Sequence, residues 1–495
     1  MNMQSTVLTA ALAVASTCAS AQSATTAVSP ESLANAPFNK SFLADDAVSA
    51  LQDQQVLQRA AQVYLWALPA LNMYGMKEGS ERTFGAGYNV LPIFKDRLNA
   101  KTLITTPNSD VIYALGYVDL KKDGPMVIEV PPGLQGIIDD FWQRPICSEG
   151  KINGKVWCGD VGLPGPDKGK GGAYLILPPD YKGTVPKGYM TFRSKTYGVF
   201  VFWRGFFKDP KQLDGPVKVM EQTKIYPLGK KATAKPMEFP NASAKPADML
   251  YPQDGTAFDM LNRFIQYEPA DAADMEMRGL AAALGIEKGK EFKPDEKMRK
   301  LLDMGAKTAF RYGHTLTYTG VRYYPDRQWL NPFPGGSPTF TGETANQNDY
   351  RTGFFIYAYA TSPGMAVTME NAGSKYPNAF RDSKGDFLFG GNSYKLTLPK
   401  NIPAANFWSL TLYDPITGSG LDNGQPFPSL NSMDKPITNP DGTTDLYVGP
   451  TSPGEGKNWL KTVPDKGFFV ILRLYSPEKA FIEQTWKPGD FEKLN

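Results

Sequence analysis

The sequence predicts a mostly β fold with helical insertions, organised as two successive β-sandwiches. Three observations lead to this prediction. Glycine (47), proline (41) and aromatic residues (12%) are abundant among the 495 residues, as is typical of proteins with many strands and turns. Short apolar runs bounded by turn residues are concentrated in two regions of the chain. Between these regions apolar residues recur with helical spacing, which indicates a helical module joining the two sandwiches.

The N-terminal part of the chain predicts export. Residues 1–21 carry no charge and combine an apolar run with small residues that end in Ala19-Ser-Ala21, which is typical of a signal peptide. Residues 22–75 then form a leader and an N-terminal helix, whose apolar residues recur at helical spacing from residue 47 until Pro69. We therefore expect a periplasmic or secreted protein.

The first sandwich is expected over residues 76–254. Its clearest strands are 126–130, 173–177 and 197–203, and the last is apolar enough to be a buried central strand. Cys147 and Cys158 flank a segment with Asn153-Gly154 at its centre, which is a signal for a tight hairpin. In an oxidising compartment the two cysteines form a disulfide, or else they remain two buried thiols.

Residues 255–345 predict the helical module and a linker. One short helix is expected over 258–265 and another over 275–284, and a third begins after Pro294. The second sandwich follows over residues 346–495, with expected strands at 354–360, 392–398, 407–413 and 467–475.

Composition excludes several classes of function. His314 is the only histidine, and the chain has three cysteines, so zinc and iron sites that need several imidazoles or four thiolates are excluded. The net charge of +3 is spread without a basic face, so nucleic acid is not an expected partner. No apolar stretch is long enough to span a membrane. We predict no cofactor and no metal site.

Several ordered motifs resemble a family of exported bacterial proteins that carry the domain of unknown function DUF1254 followed by DUF1214. The first domain's pattern is present as Pro107-Asn-Ser-Asp-Val-Ile-Tyr113 and Met126-Val-Ile-Glu-Val-Pro-Pro132. The second domain's pattern is present as Gly391-Asn-Ser-Tyr-Lys-Leu-Thr-Leu-Pro399 and Leu472-Arg-Leu-Tyr-Ser-Pro477. The resemblance covers roughly residues 50–490 and implies two successive jelly-roll-like antiparallel β-sandwiches with helices between them. It implies no particular activity.

The sharpest polar cluster is Asn108-x-Asp110-x-x-Tyr113, which follows Pro107 at an expected strand entrance. One interpretation is a structural Asx-turn in which the Asp110 side chain accepts backbone hydrogen bonds. The other is a functional one, because Asn and Asp oxygens two residues apart can bind Ca²⁺ or sugar hydroxyls while Tyr113 stacks or donates a proton.

A second cluster, Asp139-Asp-Phe-Trp142-Gln-Arg144, is followed by Glu149. Two carboxylates beside an aromatic platform are what glycoside hydrolysis requires. The alternative is a surface strand with an Asp–Arg ion pair. His314 follows the third helix, where it would cap the helix C-terminus or act as a general base. No G-x-S-x-G motif supplies a serine nucleophile for it.

We therefore expect an exported hydrolase or lyase that acts on a polar small-molecule or oligomeric substrate by carboxylate and tyrosine chemistry, in a pocket between the sandwiches and the helical module. The alternative is a non-catalytic ligand-binding or self-assembling jelly-roll protein. A homo-oligomer is expected in both cases. The candidate catalytic residues are Asp110, Glu149 and His314. The candidate substrate-binding residues are Asn108, Tyr113, Trp142, Arg144, Tyr318 and Arg351.

Overall fold

The computed structural model describes residues 29–494, so the predicted signal peptide lies outside the described residues. The chain divides into two compact units, Met1–Gln55 and Val56–Asn495. The described part of the smaller unit contains a short helix, a bridge between Asn39 and Phe42, and the first turns of a long helix. All the sheets found within residues 29–494 lie in the larger unit.

Ten α-helices occur within residues 29–494, and most of them are short. They are α1 (Pro30–Ala34), α2 (Asp45–Phe84), α3 (Leu120–Asp123), α4 (Asp214–Met220), α5 (Ala257–Tyr267), α6 (Met275–Ala282), α7 (Glu296–Tyr318), α8 (Asn348–Phe355), α9 (Pro363–Ala366) and α10 (Lys479–Ile482).

The same part of the chain contains eighteen strands. Those before residue 230 are β1 (Ile112–Asp119), β2 (Met126–Val130), β3 (Gln135–Asp140), β4 (Cys147–Ser148), β5 (Asp160–Val161), β6 (Gly172–Leu177), β7 (Met190–Arg193), β8 (Gly198–Gly205) and β9 (Lys224–Pro227). Those after residue 370 are β10 (Ser374–Lys375), β11 (Asn378–Ala379), β12 (Tyr394–Leu398), β13 (Ala404–Tyr413), β14 (Ser429–Asn431), β15 (Thr444–Gly449), β16 (Asn458–Lys461), β17 (Phe469–Pro477) and β18 (Glu492–Lys493).

The first half of the larger unit contains two sheets, with strand orders β1-β8-β3-β5 and β4-β7-β6-β2-β9. Their facing sides enclose one apolar core that includes Ile112, Ile128, Val201 and Trp203. All pairings are antiparallel except β6 with β7. We call these two sheets the first sheet pair.

The second half repeats this plan. One sheet has the order β10-β17-β13-β14, with β11 also paired to β17, and the other has the order β16-β15-β12-β18. A separate apolar core between them includes Leu396, Leu410, Leu446 and Leu472. All pairings are antiparallel except β15 with β16. We call these sheets the second sheet pair.

The central strands β8 and β17 are buried on both faces. In β8, Val199, Val201 and Trp203 face the core of the first sheet pair, whereas Phe200 and Phe202 belong to a third core. In β17, Val470, Leu472 and Leu474 face the core of the second sheet pair, whereas Phe469, Ile471 and Tyr475 belong to that same third core. Because side chains alternate along a strand, each central strand contributes to two cores. The third core, which we call the central core, also includes residues of α2, α5, α7 and α8.

The predicted elements agree with the structure at most positions, and the fold is β-rich with helical parts. Two predictions were wrong. Pro69 does not end the N-terminal helix, because α2 continues through it to Phe84. Residues 66–76 of this helix, on both sides of Pro69, are all buried, so tertiary packing outweighs the backbone hydrogen bond that proline removes.

The second wrong prediction is the strand at 354–360. Helix α8 ends at Phe355. The chain then continues to residue 360 without regular structure, and Ala360 has a φ of 57°. All seven residues are buried in the fold. In a short run in which every residue is apolar, the sequence shows neither the alternation of a strand nor the spacing of a helix. The pattern therefore does not distinguish a strand from a buried helix or coil.

The hairpin around Asn153-Gly154 closes with a disulfide between Cys147 and Cys158, whose Cα atoms are 4.0 Å apart. Asn153 (φ 50°) and Gly154 (φ 88°) both have positive φ, as a type I′ turn requires, and Ile152 pairs with Lys155. Of the two alternatives that the sequence left open, the structure has the disulfide.

Replacing Cys147 and Cys158 by serine should destabilise the protein by about 3 kcal/mol, because the bridge closes a short loop of the unfolded chain. The loop spans a sequence separation of 11 residues. The free energy of unfolding in urea measures the effect. Wild-type protein treated with a reductant serves as the control and should show a similar loss. Equal stability of reduced and oxidised protein would contradict the prediction.

Candidate functional site

The segment 106–110, which enters β1, is hydrogen-bonded to the second sheet pair along its length. It reaches residues more than 300 positions away in sequence. Thr106 N donates to Gly418 O at 2.6 Å, and Thr106 O accepts from Arg473 Nη2 at 3.1 Å. Pro107 O accepts from Tyr413 Oη, and Asn108 Nδ2 donates to Tyr475 Oη. We call this segment the clamp because it joins the two halves of the larger unit.

Asp110 is the buried anchor of the clamp. Its Oδ1 accepts from Arg97 Nη2 at 2.6 Å and from Asn431 Nδ2 at 2.7 Å, and its Oδ2 accepts from Ser429 Oγ. The side chain is 0% exposed. Asn108 Oδ1 accepts from Asp110 N at 2.8 Å, so the Asx-turn is formed by the side chain of Asn108 and not, as the sequence suggested, by that of Asp110. Both carboxylate oxygens are therefore occupied by contacts within the protein.

A cavity opens beside the clamp, between the two sheet pairs and the chain on either side of α8. Its volume is about 60 Å³. We call it the central cavity. It is lined by Thr106, Tyr113, Phe202, Arg204, Pro332, Phe333, Phe354, Tyr357, Ala358, Tyr359, Met365, Tyr376, Asn378, Ile471, Arg473 and Tyr475.

Strand register explains how distant residues meet at this cavity. Tyr113 on β1 lies directly opposite Arg204 on β8, and Phe202 is on the same face two residues before Arg204. On β17, Ile471, Arg473 and Tyr475 alternate in the same way. The two central strands thus present an arginine each to one cavity, on the faces that look away from their own sheet-pair cores.

Both arginines are buried, with Arg204 8% and Arg473 4% exposed. Arg473 donates to neutral oxygens, including Tyr413 Oη and Thr411 Oγ1. Arg204 Nε is buried and has no hydrogen-bond partner. Among the residues that the structure describes, neither guanidinium forms an ion pair with a carboxylate. Since arginine remains protonated at neutral pH, the cavity wall carries two positive charges.

Four tyrosines at the cavity keep their hydroxyl protons at neutral pH and can therefore donate hydrogen bonds. Burial raises the pKa of the Tyr113 hydroxyl, although Arg473 and Arg204 lower it in part. Burial likewise raises the pKa values of Tyr475, Tyr357 and Tyr359. Protonated hydroxyls beside guanidinium groups form a lining that donates hydrogen bonds.

The three predicted acid/base residues lie in three different environments. Asp110 is enclosed in the clamp. Glu149 is partly exposed at the end of β4 and pairs with Arg193. His314 lies within α7, whose C-cap is Thr319, so it is not the helix cap. Its Nε2 donates to the Pro415 carbonyl. These three side chains therefore do not form one catalytic group.

The predicted substrate-binding residues are also divided. Tyr113 lines the central cavity, and Asn108 belongs to the clamp. Tyr318 lies beside His314 in a surface pocket, with ring centroids 5.6 Å apart. Trp142, Arg144 and Arg351 share a third cavity with Trp66, which we call the tryptophan cavity. In it Arg144 pairs with Asp140 at 2.7 Å, the Asp–Arg ion pair that the sequence allowed, although Asp140 is buried rather than on a surface strand.

Sequence reasoning missed Arg204, Arg473, Tyr376 and Tyr475. One signal for Arg473 was available, because a charged residue between Leu472 and Leu474 interrupts an otherwise apolar strand. A buried charge in such a position requires a partner or a function. Arg204 gives a weaker signal, since it stands at the end of its apolar run.

Within residues 29–494, no three His, Cys, Asp or Glu side chains lie close enough together to hold a metal ion. No helix in that range combines the length and the apolar composition that a membrane crossing requires.

The chain contains two matched domains of unknown function, DUF1254 followed by DUF1214. Residues 88–227 match the model described as "Protein of unknown function (DUF1254)", and residues 373–479 match "Protein of unknown function (DUF1214)". The central cavity takes Tyr113 and Arg204 from the first matched region and Arg473 from the second.

Two solved structures are similar to this chain. The VPA0106 protein from Vibrio parahaemolyticus has 18% sequence identity and a TM-score of 0.53, over 89% of this chain and 100% of that one. This likeness extends to the fold alone. An uncharacterized protein from Burkholderia cenocepacia has 14% identity and a TM-score of 0.37, over 90% of this chain and 98% of that one. No curated protein sequence matches the chain.

Asp110→Asn should lower the free energy of unfolding by about 3 kcal/mol, because it removes the nearer of the two counter-charges of the buried Arg97 guanidinium and leaves only Asp434, at 3.6 Å. Urea unfolding measures the loss. Glu149→Gln is the matched control: it breaks the partly exposed pair with Arg193 and should cost less than about 1 kcal/mol. If Asp110→Asn leaves stability unchanged, the anchor role of Asp110 is wrong.

Proposed function

We propose that the protein binds a small carboxylate or a similar anion in the central cavity. The observation that carries this proposal is the state of Arg204, which is buried beside the cavity with an unsatisfied Nε. Asp160 acts on its charge electrostatically, but no carboxylate of the described residues forms an ion pair with it. An anion in the cavity supplies the missing counter-charge. The ligand thereby replaces the water that burial removed from the guanidinium group.

Energetics support a binding role for Arg204. Burial lowers the pKa of the Arg204 guanidinium, but the neighbouring tyrosines and Asp160 raise it overall, so the group stays charged beside the cavity. A bound anion supplies the direct hydrogen bond that its Nε lacks. Arg473 differs, because four neutral oxygens surround its Nη atoms and tie it to the clamp. In this proposal Arg473 fixes the cavity wall to the clamp, and Arg204 binds the ligand.

The size of the cavity limits the ligand. About 60 Å³ is several times the roughly 10–15 Å³ that a cavity needs to hold one water molecule, so an anion of a few heavy atoms fits without movement of the walls. Formate and acetate are of this size. The apolar ring faces of Phe202 and Phe354 and the side chain of Ile471 leave room for a methyl group rather than for a second charge.

A second candidate function is the hydrolase or lyase expected from the sequence. The observation that favours it is that guanidinium groups and protonated tyrosines line the same cavity. Such hydrogen-bond donors stabilise a developing oxyanion, and Tyr113 is able to give a proton to a leaving group. Turnover of a bound anion distinguishes this function from binding alone.

Three further proposals accompany this function. Export to the periplasm or the medium agrees with the disulfide, which an oxidising compartment maintains. The two sheet pairs are proposed to be derived from jelly rolls, in keeping with their paired layers and their apolar cores. A homo-oligomer is proposed as the assembled state.

Arg204→Met should abolish acetate binding and at the same time raise the melting temperature of the ligand-free protein. The substitution keeps the length and apolar contacts of the side chain but removes an unpaired buried charge. In the wild type, acetate should raise the melting temperature, because a ligand that binds only the folded state stabilises it. Calorimetric titration with formate, acetate and benzoate measures affinity and size selection, and benzoate should not enter this cavity.

The exposed Arg299→Gln variant on α7 is the control and should bind acetate as the wild type does. Tyr113→Phe should weaken acetate binding about fivefold, which corresponds to one lost hydrogen bond of about 1 kcal/mol. A destabilised Arg204→Met variant would instead assign Arg204 a structural role. Absence of formate and acetate binding to the wild type would refute the proposal.

A further inference from the structure

The tryptophan cavity is a separate feature from the central cavity. Its volume is about 290 Å³, against about 60 Å³ for the central cavity, by the same measure. It lies between α2, the turn after β3, the start of α6, and α8 with the chain before it. It is lined by Trp66, Trp142, Gln143, Arg144, Lys195, Ala273, Asp274, Pro338, Thr339, Phe340, Thr341, Asn346, Arg351 and Phe355.

One wall of this cavity is aromatic. The rings of Trp66 and Trp142 lie with centroids 4.7 Å apart and their planes tilted by 50°. Trp142 also packs on Phe264 at 5.4 Å, so the rings are fixed from behind by the central core. Phe340 and Phe355 extend the apolar wall. A rigid aromatic surface at a cavity receives a flat or ring-shaped apolar group at little entropic cost.

The charged groups at the cavity leave an excess of positive charge. Arg144 is neutralised by the buried carboxylate of Asp140, at 2.7 Å. Asp274 is occupied as the N-cap of α6, where its side chain accepts from the backbone N–H of Glu276 and Met277. Arg351 has no ion pair among the described residues, and its buried Nε has no hydrogen-bond partner. The negative charge of Asp274 acts on Arg351 electrostatically. Lys195 is exposed at the same cavity.

Polar groups complete the opposite side. Thr339 and Thr341 bond to each other through their hydroxyls at 3.1 Å, and Asn346 stands beside them. These groups can donate or accept hydrogen bonds to a ligand. The cavity therefore combines an aromatic wall, an unpaired guanidinium group and a hydroxyl-bearing edge.

We propose that the tryptophan cavity is a second binding site, which takes a carboxylate carried on a ring-shaped apolar body. The ring packs against the tryptophan wall, and the carboxylate binds Arg351 with Lys195 nearby. This inference goes beyond the proposed function of the central cavity and does not depend on it. The volume of about 290 Å³ lies near the lower end for small-molecule sites and suits a ligand of one or two rings.

Naphthalene-1-carboxylate is a suitable probe, because it combines two fused rings with one carboxylate and exceeds the size of the central cavity. We expect saturable binding by calorimetric titration, with quenching of tryptophan fluorescence. The uncharged analogue naphthalene-1-carboxamide should bind at least about tenfold more weakly, since it loses the charge-assisted contact with Arg351.

Arg351→Gln should weaken naphthalene-1-carboxylate binding about tenfold while leaving the affinity for the carboxamide almost unchanged. Thr341→Trp fills the cavity from an exposed loop without altering its charges, and should block both probes. Arg299→Gln, outside the cavity, should change neither. Saturating acetate should not compete, which separates this site from the central cavity whether or not acetate binds there.

Three results would overturn the proposal. One is equal affinity for the carboxylate and the carboxamide, which would deny a role to the guanidinium group. Another is full binding to Thr341→Trp, which would locate the probe elsewhere. The third is the absence of saturable binding to the wild-type protein.

Discussion

The structure depends on the buried carboxylate of Asp110, which joins the two halves of the larger unit. It lies at the start of the first sheet pair, and its partners Ser429 and Asn431 belong to β14 of the second. Arg97 balances its charge. A carboxylate removed from water demands all of these partners, because each one that is missing leaves an uncompensated charge in an apolar region. The requirement holds the clamp in one geometry, and the clamp in turn brings Tyr113 and Arg473 to the same cavity.

The central strands β8 and β17 form walls of the central cavity beside the clamp. Each strand contributes one face to its own sheet-pair core and the other to the central core. Where the central core is completely filled, the alternate positions carry Phe200 and Phe469. Where it is not filled, they carry Arg204 and Arg473. The cavity thus lies at the margin of a well-packed interface, and the surrounding aromatic residues give its charges a low-dielectric environment in which interactions with a ligand are strengthened.

Much of the local structure could be predicted from sequence, including the strands at 126–130, 173–177 and 407–413 and the three helices after residue 255. These elements have clear periodicity or turn residues at their ends. Pro69 and the run at 354–360 were predicted wrongly, because in both places burial on all sides decides the conformation and local preference does not. Of the predicted site residues, Trp142, Arg144 and Arg351 share a cavity, and Tyr113 lines another. Arg204 was not predicted, since nothing near it in sequence shows that it lacks a counter-charge.

The amino-acid sequence by itself determined the order of the two domains, the identity of most strands, the tight hairpin at Asn153-Gly154 and the limits that a single histidine sets on chemistry. These properties follow from composition and from interactions between near neighbours. Tertiary structure alone decided that Asp110 is an anchor, that Arg204 is left unpaired, and that tyrosines from both domains surround one cavity. The physical reason is distance along the chain: Asp110 and Ser429 are 319 residues apart, and their meeting follows from how two sheets pack, which no local pattern encodes.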